Sequence, residues 1–151
     1  MELPVVNHPD YVAKINDDNK FPIKKFGALA EYLLKEGVVK QFHIPQECST
    51  KTMKTSHSLE YINHIRNKTL DIKLQKKIGF PINDSVVRRS FVATGGTVLA
   101  SKLALDSKLA CNTAGGSHHA TYDSGAGYCV FNDVAVAANY LKNKHYAKKI
   151  L

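Results

Sequence analysis

Apolar residues recur at helical spacing in several stretches of the chain. Phe26, Leu29, Ala30, Leu33 and Leu34 fall at three- and four-residue steps, and Gly37 follows as a stop signal. This predicts an amphipathic helix over 23–36. The run QFHI at 41–44 predicts a short strand that ends at Pro45. Ser58 is placed to cap a helix over 59–67 with Leu59, Ile62 and Ile65 on one side, and 69–78 predicts a further short helical piece. The longest periodic segment is 84–105, with Val87, Phe91, Val98 and Leu103 roughly along one stripe. Its central Gly95-Gly96 pair costs about 1 kcal/mol per glycine in an exposed helix. Close packing of another backbone against that face is the expected compensation.

The apolar run LACNT at 109–113 predicts a buried strand, which leads straight into the glycine-rich loop GGSHHATYDSGAGYC at 115–129. Asn132 then caps a helix over 133–142, with Asp133 in its first turn, and apolar KKIL begins again at 148. Strand, loop, helix, strand is the pattern of a parallel α/β sheet. Ligands of such sheets gather at the carboxyl ends of the strands, where 109–113 delivers His118 and His119. Adjacent histidines chelate poorly on regular structure. They point to opposite faces of a strand and sit about 100° apart on a helix.

Composition narrows the function classes. The length of 151 residues, 44% of them hydrophobic, suits one domain with a sizeable core, and no linker, repeat or low-complexity tract interrupts it. Cys48, Cys111 and Cys129 are far apart and lack any CxxC spacing. This argues against a disulfide framework and a cysteine zinc site, and fits a reducing compartment. The N-terminal MELPVVNHPDY has no basic-then-apolar signal pattern, and no apolar run approaches membrane-spanning length. A soluble, cytoplasmic protein with no membrane partner is therefore expected. The net charge of +8 comes from 18 lysines and three arginines strewn along the chain rather than gathered into an aromatic-interleaved stripe, so no nucleic-acid partner is expected.

Several chemistries are also set aside by motif. GAG at 125–127 lacks the third glycine of a dinucleotide fingerprint, no phosphate-cradling GxxxxGK[ST] is present, and Ser117 lacks a nucleophile elbow. Cys129 could act as a nucleophile near the histidines, but a small buried hydrophobe is the preferred reading. Helix capping accounts for Asn132 and Asp133 without a site role.

TAGGSHHATYDSGAGYCVFNDVAVAANYL closely resembles the catalytic-loop signature of the histone deacetylase family, G-G-x-H-H-A followed by G-[FY]-C and N-D-[IV]-A-[IV]-A. TGGTVLASKLAL at 94–105 looks like the helix that precedes it. HPDY at 8–11, FPIKKF at 21–26, SHSLEYI at 56–62 and IGFPINDSVVRRS at 78–90 resemble the acetoin-utilisation-type and class IV members. The resemblance spans nearly the whole chain. It implies an arginase-like three-layer α/β fold with a largely parallel sheet, and hydrolysis of an acyl-lysine or related acylamide by a zinc-activated water. By that match His119 would be general base and then general acid, and His118 would hydrogen-bond the water and stabilise developing charge. The Gly127 carbonyl would accept the substrate amide N–H. Tyr128 would line the channel for the acylated side chain, where many relatives carry Phe. The four residues are expected to share one concavity.

In the family the zinc is held by a D-x-H motif at the end of the next strand and by a later Asp. The strand that begins at KKIL is the corresponding one, and the chain ends at Leu151. His8, His43, His57, His64 and His145 are scattered singly, with no spacing that would replace those ligands. The expectation is an N-terminal half of a deacetylase-like domain covering 1–151, with no metal ligands of its own and a separate C-terminal half as a candidate partner. Alone it is expected to be inactive. The rival reading is a non-catalytic remnant or binding module of the same fold. A two-manganese ureohydrolase is a weaker rival.

Overall fold

Helix α5, Asp84–Ser107, is the spine of this computed structural model, which describes residues 3–151. Asn83 caps its start, accepting from the Val86 N–H at 2.9 Å, and Lys108 in the left-handed conformation closes its end. Phe91 and Val92 on its inner face are fully buried, each such side chain contributing about 1.5–3 kcal/mol of apolar burial. The Gly95-Gly96 pair explains itself by contact. A Cβ at Gly95 would lie 2.0 Å from the Gln46 carbonyl oxygen, and the Cys48 N–H donates to the Phe91 carbonyl at 3.0 Å. The backbone of 46–48 therefore rests directly on the helix, as expected. At Gly96 the neighbour is a side chain, the Tyr11 hydroxyl.

Around α5 lie α1 (Lys25–Lys35), α2 (Thr50–Met53), α3 (Leu59–Asn67), α4 (Ile72–Ile78) and α6 (Asp133–Asn143), the last packed along α5. Ser58 caps α3 by accepting from the Tyr61 N–H at 3.1 Å, as its position predicts. Asp71 caps α4, so that helix starts three residues later than the apolar pattern suggests. The short α2 and the single 3-10 turn at Pro9–Tyr11 have no periodic signature and were not predicted. One apolar cluster joins these elements, with Tyr11, Met53, Ile62, Ile65, Ile78 and Val136 fully buried. Arg89 is buried within it. Its Nε donates to the Tyr11 carbonyl at 3.0 Å and its guanidinium sits 4.9 Å from the Phe26 ring centre. Burial lowers its pKa to about 10, so it stays cationic at neutral pH.

The sheet is smaller than expected. Strand β1 (Val5–Val6) pairs in parallel with β2 (Cys111–Asn112), Val5 opposite Cys111 and Val6 opposite Asn112. The predicted strand at 41–44 reduces to one parallel bridge, His43 to Val6, on the other side of β1. The run 109–113 is a strand only at Cys111–Asn112, and it is not buried. Leu109 is 62% exposed and Cys111 is exposed, because β2 pairs with β1 alone among the described residues. KKIL forms no strand, and Ile150 and Leu151 are exposed: an apolar run becomes a strand only against a hydrogen-bonding neighbour. Among the described residues no helix is long and apolar enough to cross a membrane.

Candidate functional site

The loop that leaves β2 is tied down by the residue that follows its end. Asp133 opens α6 and is 2% exposed. Its carboxylate accepts from the Gly116 N–H at 3.0 Å, from the Ser117 N–H at 2.6 Å, and from the Thr97 hydroxyl. Capping alone is therefore too narrow a reading of Asp133. A carboxylate at a helix start is favoured by the helix dipole, and here it also fixes the backbone of the two residues that directly precede the histidine pair. Asn132 does cap α6, accepting from the Ala135 N–H at 3.0 Å. Its amide also donates back into the loop, to the Ala120 carbonyl at 3.2 Å, with the His118 carbonyl at 3.5 Å.

His118 and His119 lie side by side, with ring centres 4.2 Å apart and planes inclined by 42°. Both are exposed, so the described residues do not enclose them in a channel. His118 Nδ1 is 2.9 Å from the Gly116 carbonyl. A carbonyl can only accept, which places the proton of a neutral His118 on Nδ1 and leaves the Nε2 lone pair free. The ring of His119 lies against the Cα of Gly127, where an added Cβ would fall 3.1 Å from His119 Cδ2.

Gly127 and Tyr128 occupy the two central positions of a tight hairpin turn between Ala126 and Cys129. Those two end residues exchange hydrogen bonds at 3.1 and 2.8 Å. Both central residues have positive φ, +53° and +64°, the signature of a type I′ turn. Glycine adopts this freely, whereas for Tyr128 it costs about 1–2 kcal/mol. Packing offsets that strain: the Tyr128 ring contacts Gly79 and lies 5.0 Å from the Phe21 ring centre and 5.3 Å from that of Phe80. The last carbonyls of α4 hold the turn, Lys77 accepting from the Gly127 N–H at 3.1 Å and Ile78 from the Tyr128 N–H at 2.7 Å. Cys129 is buried, its thiol 3.6 Å from the Gly127 carbonyl, in keeping with a small packed side chain.

The turn thus brings Gly127 beside His119 and sets Tyr128 next to it. A residue that the sequence did not single out lies behind them. His57 is 1% exposed, and its Nε2 accepts from the backbone N–H of Asn132 at 2.9 Å. His8, His43, His64 and His145 do not join the pair. Among the described residues no three His, Cys, Asp or Glu side chains are grouped so as to hold a metal ion. The donor set present therefore does not fit a zinc site.

Comparison with known proteins is consistent along the chain. The histone deacetylase domain profile matches residues 20–151. An uncharacterized protein of the cyanobacterium Picosynechococcus is 41% identical, with 100% of this chain matching 51% of that protein. Histone deacetylase 2 of Arabidopsis thaliana is 27% identical over 80% of this chain and 33% of its own length. The acetoin utilization protein AcuC of Staphylococcus xylosus is 27% identical over 88% of this chain and 38% of its own length. The chain spans about half or less of the curated relatives it matches. Among solved structures, a histone deacetylase homologue complexed with SAHA superposes with a TM-score of 0.77 and 21% identity, covering 95% of this chain and 42% of the other. A homologue from Aquifex aeolicus gives 0.76 and 22%, with the same coverage. The fold is therefore the deacetylase-type α/β fold. Its helices and the parallel start of its sheet are what the described residues contain.

Proposed function

The chain belongs to the histone deacetylase family, and from that premise we propose that it carries the proton-transferring histidines of a zinc-dependent acylamide hydrolase. The observation that supports this most is the arrangement of His118 and His119, side by side on a loop fixed by Asp133, with His119 seated on the Gly127 turn. Both imidazoles are exposed and reachable by a substrate, and a neutral imidazole can take a proton on its free ring nitrogen and give it back, which suits proton transfer in both directions.

On this reading His119 takes a proton from a water as its oxygen bonds to the acyl carbon. The C–N bond then breaks and the same proton passes to the departing amine, which leaves a carboxylic acid and a free amine. His118 accepts a hydrogen bond from that water's other O–H through its free Nε2 and so orients the water as its oxygen bonds to the acyl carbon. The Gly127 carbonyl, which keeps a lone pair beyond its thiol contact, accepts the substrate amide N–H. Tyr128 forms part of the wall along which the acylated side chain lies.

Zinc supplies Lewis-acid chemistry in such hydrolases. Because the described residues hold no three-ligand group, no step is assigned to it. Its ligands are assigned to a further segment of the domain. The outer edge of β2, exposed at Cys111, offers that segment a strand to pair with. An acylated lysine or a small acylamide is the proposed substrate class.

The test is to co-express the chain with a segment that supplies the rest of the domain, such as the remaining half of the cyanobacterial relative, and to assay a panel of acylamides. Zinc-dependent release of carboxylate supports the proposal. A folded, zinc-loaded complex that is inactive on every acylamide favours the non-catalytic binding module.

A further inference from the structure

His57 is the one described residue with a side-chain nitrogen that is both buried and without a hydrogen bond of good geometry, at Nδ1. Its other nitrogen, Nε2, accepts from the Asn132 N–H at 2.9 Å. A neutral imidazole has one N–H, so the proton must sit on Nδ1. The ring is held edge-on to Phe131, with centres 5.2 Å apart, and lies 5.9 Å from Tyr61. The main chain around it grips the same loop. The Ser58 N–H donates to the Tyr122 carbonyl at 2.8 Å, and the Tyr61 hydroxyl donates to the Val130 carbonyl at 2.7 Å.

We propose that His57 is a positioning residue for the histidine pair and acts through Asn132. Its Nε2 fixes the Asn132 backbone, and the Asn132 amide fixes the carbonyls of the residues flanking His119. This rests on the functional reading above for its catalytic consequence, but the mechanical link stands on the hydrogen bonds alone. A residue that merely filled the core would be an apolar side chain of the same volume. An imidazole at this depth is useful only through the acceptor it presents to a backbone donor that α6 leaves free at its cap. The pair thus depends on two buried anchors reaching the loop from opposite ends, Asp133 at Gly116 and Ser117, and His57 at Asn132.

Two variants separate acceptor from volume. His57→Phe keeps a ring and removes the acceptor, whereas His57→Gln offers a side-chain carbonyl to the same N–H. Nuclear magnetic resonance of the full chain reads the Asn132 amide and the His118 and His119 rings, and the assembled enzyme gives kcat and KM. The expected result for His57→Phe is loss of exchange protection at Asn132, displaced His119 ring signals, and kcat lowered roughly 10²-fold with KM little changed, the scale of a small misplacement of a reacting group. His57→Gln is expected to restore all three. Unmoved His119 signals in a folded His57→Phe, or no recovery in a folded His57→Gln, overturns the proposal. In the unmodified chain a hydrogen-bond coupling between Asn132 N and His57 Nε2 is expected, and its absence also overturns it even if the Phe variant fails to fold. An inactive assembled enzyme counts against the functional reading only, since the resonance measurements still decide the link.

Discussion

The ring of His119 rests on the Cα of Gly127, and α4 holds Gly127 in place through the Lys77 carbonyl. The position of the candidate acid–base is therefore set partly by a helix end about forty residues upstream of it in the chain. A methyl group at Gly127 would fit only if the His119 ring gave way by a few tenths of an ångström.

Gly127→Ala is expected to cost about 1–2 kcal/mol of stability, because the turn needs positive φ at that position. It should also displace the His119 ring by a few tenths of an ångström. Urea unfolding measures the first effect and the His119 ring resonances the second. Unchanged resonances would contradict the contact.

Gly95→Ala is expected to be far worse than its helix propensity suggests. Alanine favours a helix interior by about 1 kcal/mol over glycine. Here the added Cβ would meet the Gln46 carbonyl at 2.0 Å, so net destabilisation toward the upper end of about 1–3 kcal/mol should appear in chemical unfolding. A stabilised variant would show that the 46–48 backbone does not lie on α5.

The helices of seven residues or more were legible because their signals are local, whereas the four-residue α2 and the 3-10 turn carry no periodic signature. Ser58 and Asn132 cap where their positions predict, and the glycine pair in α5 announced a close neighbour. The strands were legible only in part: β2 falls within the predicted 109–113 and His43 within 41–44, but their short extent and the pairing with β1 depend on contacts across the chain, more than a hundred residues apart for β1 and β2. The loop motif brought His118, His119, Gly127 and Tyr128 forward together. It did not show the type I′ turn, because tyrosine rarely takes its second position. Nor did it show Asp133 and His57 as anchors. Capping was a sufficient local account of Asp133, and a single histidine in SHS carries no periodic or spacing signal.

Stability should fall in mild acid through His57. Burial lowers its pKa below the ordinary value of 6.5, with the Thr121 and Tyr122 carbonyls opposing the shift. The rings packed against it are those of Phe131 and Tyr61, the latter's hydroxyl pushed up by burial. Above 6.5 both folded and unfolded chains hold His57 neutral and its contribution is constant. As the pH drops below that value the unfolded chain binds the proton first, so stability declines until the folded-state pKa is passed. Urea midpoints measured across this range should lose that slope in His57→Gln. An identical slope in the variant would assign the effect to other groups.

Metal analysis of the chain on its own should find no tightly bound zinc, since catalytic sites use three protein ligands and no such group occurs among the described residues. One tight zinc per chain would contradict the ligand assignment.

The most direct test of the account is kcat together with metal content for His119→Ala in the assembled, active complex. The predicted result is a fall in kcat of at least about 10²-fold, the scale of lost general acid–base catalysis, with zinc content unchanged because His119 moves protons and holds no metal. Undiminished turnover, or loss of the zinc along with the histidine, would contradict it.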